Sequence, residues 1–310
     1  MGSTNSTVLI TGGSGLVGRA LTRTLLERGY AVRWLVRDPS RASVHGVKTY
    51  RWNIGEGYID PAALEGTDAV IHLAGENIGG GRWTEQRKKL LMESRTRSTA
   101  LLAETLKQKP NQVRTLLSAS AIGYYGDRPA NELLTETSTA GADFLAQITK
   151  EWEAATTAIA SSGRRVVTVR IGIVLSAAGG ALKELARPVK WFVGSPLGSG
   201  DQVMSWIHEE DLVGTFIHLL EHEETSGVYN AVAPVPVTNR ALVKAIGHAL
   251  HRPVILPPVP ALALKLLLGE MSLMVLAGSR VSGKKLEASG YEFRFRKVDA
   301  ALADIFSKTS

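Results

Sequence analysis

The sequence predicts a doubly wound α/β fold: a parallel sheet covered by helices on both faces, with a small, mainly helical C-terminal extension. Three observations carry this expectation. Short apolar runs of strand length alternate with stretches of 3.6-residue periodicity. The first run passes directly into a glycine-rich turn that opens a helix. After residue 232 the alternation gives way to helices and prolines, including RPVILPPVP at 252–260. The chain of 310 residues, 44% hydrophobic and 21% charged, is long enough for one large domain and an appendage.

Taken in order, TVLIT (7–11) is the first strand and 16–29 the first helix. AVRWLV (31–36), AVIHLA (69–74), VRTLLSAS (113–120) and RVVTVR (165–170) are further strands, and 84–108 and 142–161 further helices. Strands this uniformly apolar belong to a parallel sheet buried on both sides. GVYNAVAPVPVTN (227–239) closes this region, which places one domain over 7–232 and a smaller unit over 233–306. The most apolar stretch, VPALALKLLLGEMSLMVLAG (259–278), contains Lys265 and Glu270 and therefore reads as a buried or amphipathic helix, not a membrane span.

Composition narrows the functional classes. Zero cysteines exclude disulfides, thiolate metal sites and a cysteine nucleophile, and no metal is expected. The N-terminus shows neither a basic region nor a long apolar run, so a cytoplasmic protein without membrane attachment is expected. Met1-Gly2 with Ser6 fits a myristoylation pattern and Asn5-Ser6-Thr7 a glycosylation acceptor, both short matches that arise often by chance. The net charge is +7, from 36 basic and 29 acidic residues, with Arg33, Arg37, Arg41, Lys48 and Arg51 close together. A solvated face or an anionic small ligand accounts for such a run. Basic residues are not interleaved with aromatics in the way that stacks bases, so no nucleic-acid partner is expected.

The strongest chemical signal is VLITGGSGLVGRAL, in which Thr11, Gly12, Gly13, Ser14, Gly15, Leu16, Val17 and Gly18 link strand to helix. Gly12 allows the tight turn, Gly15 lets a pyrophosphate approach the backbone, and Gly18 lets the helix pack on the sheet. The free N–H groups at the helix start then meet the phosphates. About 20 residues on, where an acidic side chain would hold the ribose hydroxyls of NAD, the second strand ends in LVRDPSR. Arg37 suits a 2′-phosphate, with Arg41 as a second cation, which favours NADP(H). Asp38, one residue later, keeps NAD open as the alternative. An exposed arginine with no ligand is the plain competing reading of Arg37.

TGGSGLVG (11–18), HLAGEN (72–77), SASAIGYYG (118–126), KEWE (150–153), RIGIVL (170–175) and SWIHEEDL (205–212) occur in this order. Together they resemble the short-chain dehydrogenase/reductase superfamily, extended or atypical type, with its Rossmann fold. More narrowly, they resemble the epimerase-like subgroup described as NAD-dependent epimerase/dehydratase, with a C-terminal domain of unknown function. The resemblance spans 7–306 and includes SGYEFRF (289–295). It implies that residues 12–18 cradle the pyrophosphate and that Leu73, Ala74 and Gly75 line the ribose side. It places the catalytic serine or threonine at Ser118 or Ser120, with Ser120 preferred, and Arg170 and Gly172 toward cofactor or substrate. Buried serines that satisfy backbone groups, and an arginine held inside the sheet, are the structural alternatives.

The same resemblance implies a Tyr-x-x-x-Lys pair on the helix that begins near GADFLAQITKEWE (141–153), and that stretch holds no tyrosine. Aligning Glu153 with the family's downstream glutamate puts Leu145 and Thr149 at the two positions. General acid–base help is worth about 10²–10⁴-fold in rate, so its loss weakens a reductase without removing the hydride chemistry of the cofactor. Tyr124, Tyr125, His208, Glu76 and Asn77 are the substitute candidates, each with a bland alternative in packing, helix entry or a solvated loop. NIGGGRWTEQRKK (77–89) and LGSGDQVMSWIH (197–208) read as substrate-side loops or ordinary connections.

The expectation is therefore an NADP(H)-dependent oxidoreductase or epimerase-like enzyme that acts on a small carbonyl or hydroxyl compound with a non-standard proton donor. A catalytically silent NADP(H)-binding module is the alternative. A sugar-nucleotide epimerase of the usual mechanism comes third, since the absent pair argues against it. The resemblance also suggests a homodimer through 84–108 and 142–161, although amphipathic faces do not separate partner from core.

Overall fold

The structure, a computed structural model, describes residues 6–42 and 44–308. Residues 1–5, on which the two short modification matches depend, lie outside the described residues, as does the side chain of Arg41. The chain runs β1 (Thr7–Thr11), α1 (Leu16–Glu27), β2 (Ala31–Val36), β3 (Val47–Asn53), β4 (Tyr58–Ile59), β5 (Ala69–His72), α2 (Glu85–Gln108) and β6 (Thr115–Ala121). It continues through β7 (Leu133–Leu134), α3 (Phe144–Ala160), β8 (Arg165–Ile171), β9 (Ile173–Leu175), α4 (Ala181–Lys190), β10 (Val203–Met204), β11 (Trp206–His208), α5 (Glu209–Glu221) and β12 (Gly227–Ala231). The remainder is β13 (Val237–Thr238), α6 (Asn239–Ala249), α7 (Ala261–Leu268), α8 (Leu273–Leu276), β14 (Arg280–Val281), α9 (Lys284–Ala288) and α10 (Val298–Ser307).

One sheet of eight strands, in the order β12-β8-β6-β5-β1-β2-β3-β4, forms the body. All its neighbours pair in parallel except β3 and β4. From β1 the chain builds outward through β2 and β3, then returns to place β5 on the other flank. That reversal opens a crevice at the carboxyl ends of β1 and β5, the place where such sheets bind ligands. Every residue of β1 is buried, as expected of a strand covered on both faces. Leu21 and Leu25 of α1 pack with Trp34 of β2 and Phe216 of α5 on one side. Leu102 and Leu106 of α2 pack with Leu9, Leu116 and Ile159 on the other.

The five apolar runs read from the sequence are all strands, with ends shifted by up to two residues. Three strands of the sheet escaped that reading, the two-residue β4 among them. In β3 (VKTYRWN) only Trp52 is buried, so polar residues break the apolar signal. β12 (GVYNA) is short and carries Asn230, a fully buried amide that accepts from Tyr125 and donates to the Ser282 carbonyl.

Beyond β12 the chain is mainly helical. Leu242 and Ile246 of α6 and Leu302 and Ile305 of α10 share a core with Leu182 and Val189 of α4. The buried Asp211 carboxylate of α5 accepts from the backbone N–H groups of Arg294 and Phe295, at 2.8 and 2.9 Å. It thereby clamps the segment SGYEFRF onto SWIHEEDL. The apolar stretch 259–278 departs from expectation. Gly269, at φ +61°, ends α7, and α7 buries Leu264 while exposing Leu262, Leu266 and Leu267. No helix among the described residues is long and apolar enough to cross a membrane.

Candidate functional site

The turn after β1 is shaped by what a side chain would strike. A Cβ on Gly12, whose φ is +71°, would lie 2.9 Å from the carbonyl of Leu73. On Gly18 it would lie 2.3 Å from the Gly12 oxygen, so the helix sits directly against the turn. Gly13 is glycine for a reason absent from the motif itself: its Cβ would enter the indole of Trp34, 2.4 Å from the nearest ring atom. Gly15 is exposed, and it begins α1 with no side-chain cap and no acidic residue in the first turn. The N–H groups of Leu16, Val17 and Gly18 therefore face an open anion site. By contrast Thr84, Asp143 and Thr238 cap α2, α3 and α6 with their side chains. The turn thus fits a pyrophosphate in shape and in dipole. Ser14 is exposed at its outer edge.

Thr11 secures the neighbouring loop. Its hydroxyl accepts from the N–H groups of Leu73 and Ala74, each at 3.2 Å, and bonds His72 Nδ1 at 2.7 Å. His72 Nε2 reaches Thr99 Oγ1 on α2 at 3.0 Å. Complete burial pushes the His72 imidazole down to about 4, so it is neutral near pH 7. Leu73, Ala74 and Gly75 are thereby held beside Gly12, where the ribose side was expected.

Thr11 pairs with Leu35, so Arg37 leaves the sheet at the same end as the glycine turn. Its side chain is exposed. Asp38, the residue that kept NAD open, accepts from Ser40 N at 3.0 Å and Ser40 Oγ at 2.6 Å and caps the short turn Pro39–Arg41.

A cleft of about 260 Å³ opens beyond the carboxyl ends of β6 and β8. Leu145, Ile148, Thr149 and Trp152 of α3 form one wall, and Leu273, Met274 and Gly278 of the C-terminal unit face them. Ile78, Val203, Met204 and Ser205 also line it, so both loops read as substrate-side reach the cleft. Leu145 and Thr149, which the family resemblance puts at the Tyr and Lys positions when Glu153 sets the register, lie here. The Thr149 hydroxyl donates to the helix carbonyls of Leu145 and Ala146, at 2.9 and 3.0 Å.

The other polar candidates lie elsewhere and are engaged. Ser120 donates to Glu153 at 2.6 Å, and Ser118 is fully buried with its hydroxyl turned to the Ala119 carbonyl. Arg170, expected near cofactor or substrate, is 3% exposed and binds Glu153 through two nitrogens at 2.8 Å. The ring of Tyr124 stacks on that guanidinium, with its centroid 3.4 Å from Cζ. Tyr125 donates to Asn230 at 2.7 Å, accepts from Arg170 at 3.0 Å, and is pushed up by burial. His208 accepts from Glu210 N and caps α5; its ring rests on Phe295, and its Nε2 lies 3.4 Å from Asp304 without hydrogen-bond alignment. Glu76 pairs with Arg87, and Asn77 caps its own loop at Gly79. Ser118, Ser120, Tyr124, Tyr125, Arg170 and His208 contribute nothing to the lining of the cleft.

A larger open groove of about 590 Å³ runs along the outer side of α3 past Lys150, Arg164 and Val228. It shares no lining residue with the cleft and takes Arg165 and Val166 from the amino end of β8, whereas the cleft takes Ala121 and Ile171 from the carboxyl ends of β6 and β8, so the smaller cleft is the better candidate site.

Two cleft residues were missed by the sequence reading. Arg95 of α2 and Trp152 stack, with Cζ 5.2 Å from the ring centroid. Arg95 falls in the stripe of Leu91, Ser98, Thr99 and Leu102 that α2 buries, so a charge at a core-facing position was the available signal. Trp152 sits inside the KEWE motif itself.

Residues 8–231 match the NAD dependent epimerase/dehydratase family, and residues 259–305 match a domain of unknown function. An epimerase family protein of Mycobacterium bovis is 38% identical over 96% of this chain and 97% of its own length. The chloroplastic epimerase family protein SDR39U1 homolog of Arabidopsis thaliana is also 38% identical, over 96% of this chain and 86% of its own. The crystal structure of human epimerase family protein SDR39U1 (isoform 2) with NADPH superposes with a TM-score of 0.87 at 33% identity, covering 97% of this chain and 99% of that one.

Proposed function

The chain belongs to the NAD-dependent epimerase/dehydratase family, and from that premise we propose that it binds NADPH and acts as an oxidoreductase on a small carbonyl or hydroxyl compound held in the cleft. The observation that carries this reading is the glycine turn, where three side chains are sterically forbidden and the start of α1 is left uncapped. Residues 12–18 would hold the pyrophosphate and Leu73 to Gly75 the ribose side. Arg37 would take the 2′-phosphate, because Asp38 is committed to its own turn. The human relative carries NADPH in its crystal structure, which supports the same choice.

Bound NADPH supplies a hydride. This chain's residues orient the acceptor and keep water from its apolar wall. The proton for the carbonyl oxygen comes from a donor other than a Tyr-Lys pair, since Leu145 and Thr149 stand at those positions. Their presence also favours a second reading, a silent NADPH-binding module. Transfer of deuterium from stereospecifically 4-deuterated NADPH to any member of a panel of ketones and aldehydes supports the enzyme. Micromolar or tighter NADPH binding without transfer to any of them selects the module.

The mainly apolar cleft and the missing pair both weigh against a sugar-nucleotide epimerase of the usual mechanism. Cytoplasmic residence and the absence of nucleic-acid or membrane partners belong to the same proposal. So does a homodimer through the outer faces of α2 and α3, which sedimentation equilibrium tests directly.

A further inference from the structure

Among the described residues the cleft wall carries one cation, and no carboxylate lies within ion-pair distance of it. Arg95 lines the wall with its guanidinium stacked on Trp152, and no carboxylate among the described residues forms an ion pair with it. Among the described residues its acceptors are the carbonyls of Leu91 and Glu76, each at 3.0 Å, and Ser94 Oγ at 3.4 Å. The nearby Glu76 carboxylate is paired with Arg87. Burial lowers Arg95 to about 10, which marks a guanidinium drawn well away from water. A Cβ on Gly75 would come within 3.1 Å of the Arg95 Cζ, so the guanidinium lies directly against the ribose-side loop.

A second, independent observation points to the same place. Trp152 is 6% exposed, and its Nε1–H has no acceptor among the described residues. A buried indole N–H normally finds a partner. The indole forms part of the cleft wall beside Arg95 while its Nε1 is closed off from solvent, so a ligand carboxylate in the cleft meets the guanidinium first and reaches the indole N–H by a shift of the ring. The one carboxylate on the wall, Asp143, is held at the start of α3 by Ala146 N at 2.9 Å. The remaining walls are largely apolar, with Leu145, Ile148 and Met274 prominent.

We propose that this cleft takes a small monocarboxylate with an apolar body, its carboxylate received by Arg95 and the Trp152 indole N–H and its body packed against Leu145, Ile148 and Met274. The volume, about nine waters' worth at about 30 Å³ each, suits a compact molecule. This deepens the oxidoreductase reading, in which the substrate becomes an apolar oxo or hydroxy acid, and it rests on that reading only for the reactive carbonyl.

The test is binding, which needs no turnover. Calorimetric titration of the full chain uses phenylacetate, 4-methylpentanoate and benzoate, each beside its neutral amide, with and without NADPH. At least one acid is expected to bind about tenfold or more tighter than its amide, the worth of a charge-assisted hydrogen bond. Arg95→Gln abolishes that preference and Arg95→Lys keeps part of it. Trp152→Phe lowers acid affinity and removes the indole ¹⁵N–H resonance that the acid shifts in the wild type. A purely structural Arg95 would not move the acid-to-amide ratio. No acid preferred over its amide, or a preference that survives Arg95→Gln, overturns the proposal. Acid preference in a protein that fails to bind NADPH leaves this inference standing and sinks the cofactor reading instead.

Discussion

Arg170 on β8 and Glu153 on α3 meet as a two-point pair, Nε to Oε1 and Nη2 to Oε2, both at 2.8 Å, with Ser120 donating to the same Oε1. The arginine is nearly sealed from solvent and the glutamate largely so. Removing one partner of such a pair strands a buried charge, which costs about 3–5 kcal/mol. Glu153→Ala is expected to lower the urea midpoint accordingly. Ser120→Ala should cost less, about 1.5–3 kcal/mol, the net worth of a hydrogen bond to a charged group. If Ser120→Ala instead leaves stability intact and lowers turnover about 100-fold or more, the serine is catalytic after all.

Gly18→Ala should abolish the fit of helix to turn, because the added carbon falls 2.3 Å from a backbone oxygen that cannot rotate away. Overpacking of this kind costs about 1–3 kcal/mol. NADPH affinity is expected to fall by more than about tenfold, read by quenching of tryptophan emission. Unchanged affinity would show that the turn does not hold the cofactor.

Cofactor choice rests on Arg37. Arg37→Gln should weaken NADPH by about 10- to 100-fold, the range for a charge-assisted hydrogen bond, and leave NADH unchanged. Competition titrations with the two nucleotides distinguish this from a general loss. An equal fall for both would assign Arg37 to the fold or to the pyrophosphate.

His72 makes stability fall on mild acidification. Its folded-state value of about 4 lies below its usual 6.5, so the unfolded chain takes up the proton first as pH drops. The stability tied to the neutral ring is intact above about pH 6.5 and is lost between there and pH 4, with no further loss below. The difference is on the order of 3 kcal/mol. His208 and His218 are also lowered by burial and act in the same direction. Urea melts of the wild type and His72→Gln between pH 7 and 4 should therefore converge as the pH falls. Parallel curves would show that His72 titrates normally.

Much of the fold was legible because β1, β2, β5, β6 and β8 are buried runs whose apolar composition leaves one plausible arrangement. β3 was not, since only Trp52 of its seven residues is buried. The phosphate turn was legible because glycine spacing reflects backbone contacts, such as Gly12 against Leu73, that recur wherever this turn forms. Gly13 was less so, because its reason is Trp34, twenty-one positions away and visible only in three dimensions. The polar candidates Ser120, Tyr125 and His208 shared the residue types of catalysis, yet each is consumed by a partner from a different element. Arg95 could have been flagged, as a charge in the buried stripe of α2, but its stacking on Trp152 depends on how two helices pack.

The wall formed by Leu273, Met274 and Gly278 comes from the appended unit, while the phosphate turn comes from the first strand and helix of the body. The apolar half of the cleft wall is therefore carried on a piece of chain separable from the phosphate turn, while Arg95 and Trp152 stay with the body. A relative could diverge in what it recognises by drift in its last fifty or so residues, with the ancestral nucleotide site untouched. Exchanging those tails between relatives would then change the fit of the apolar body and leave the charged end of the cleft as it was.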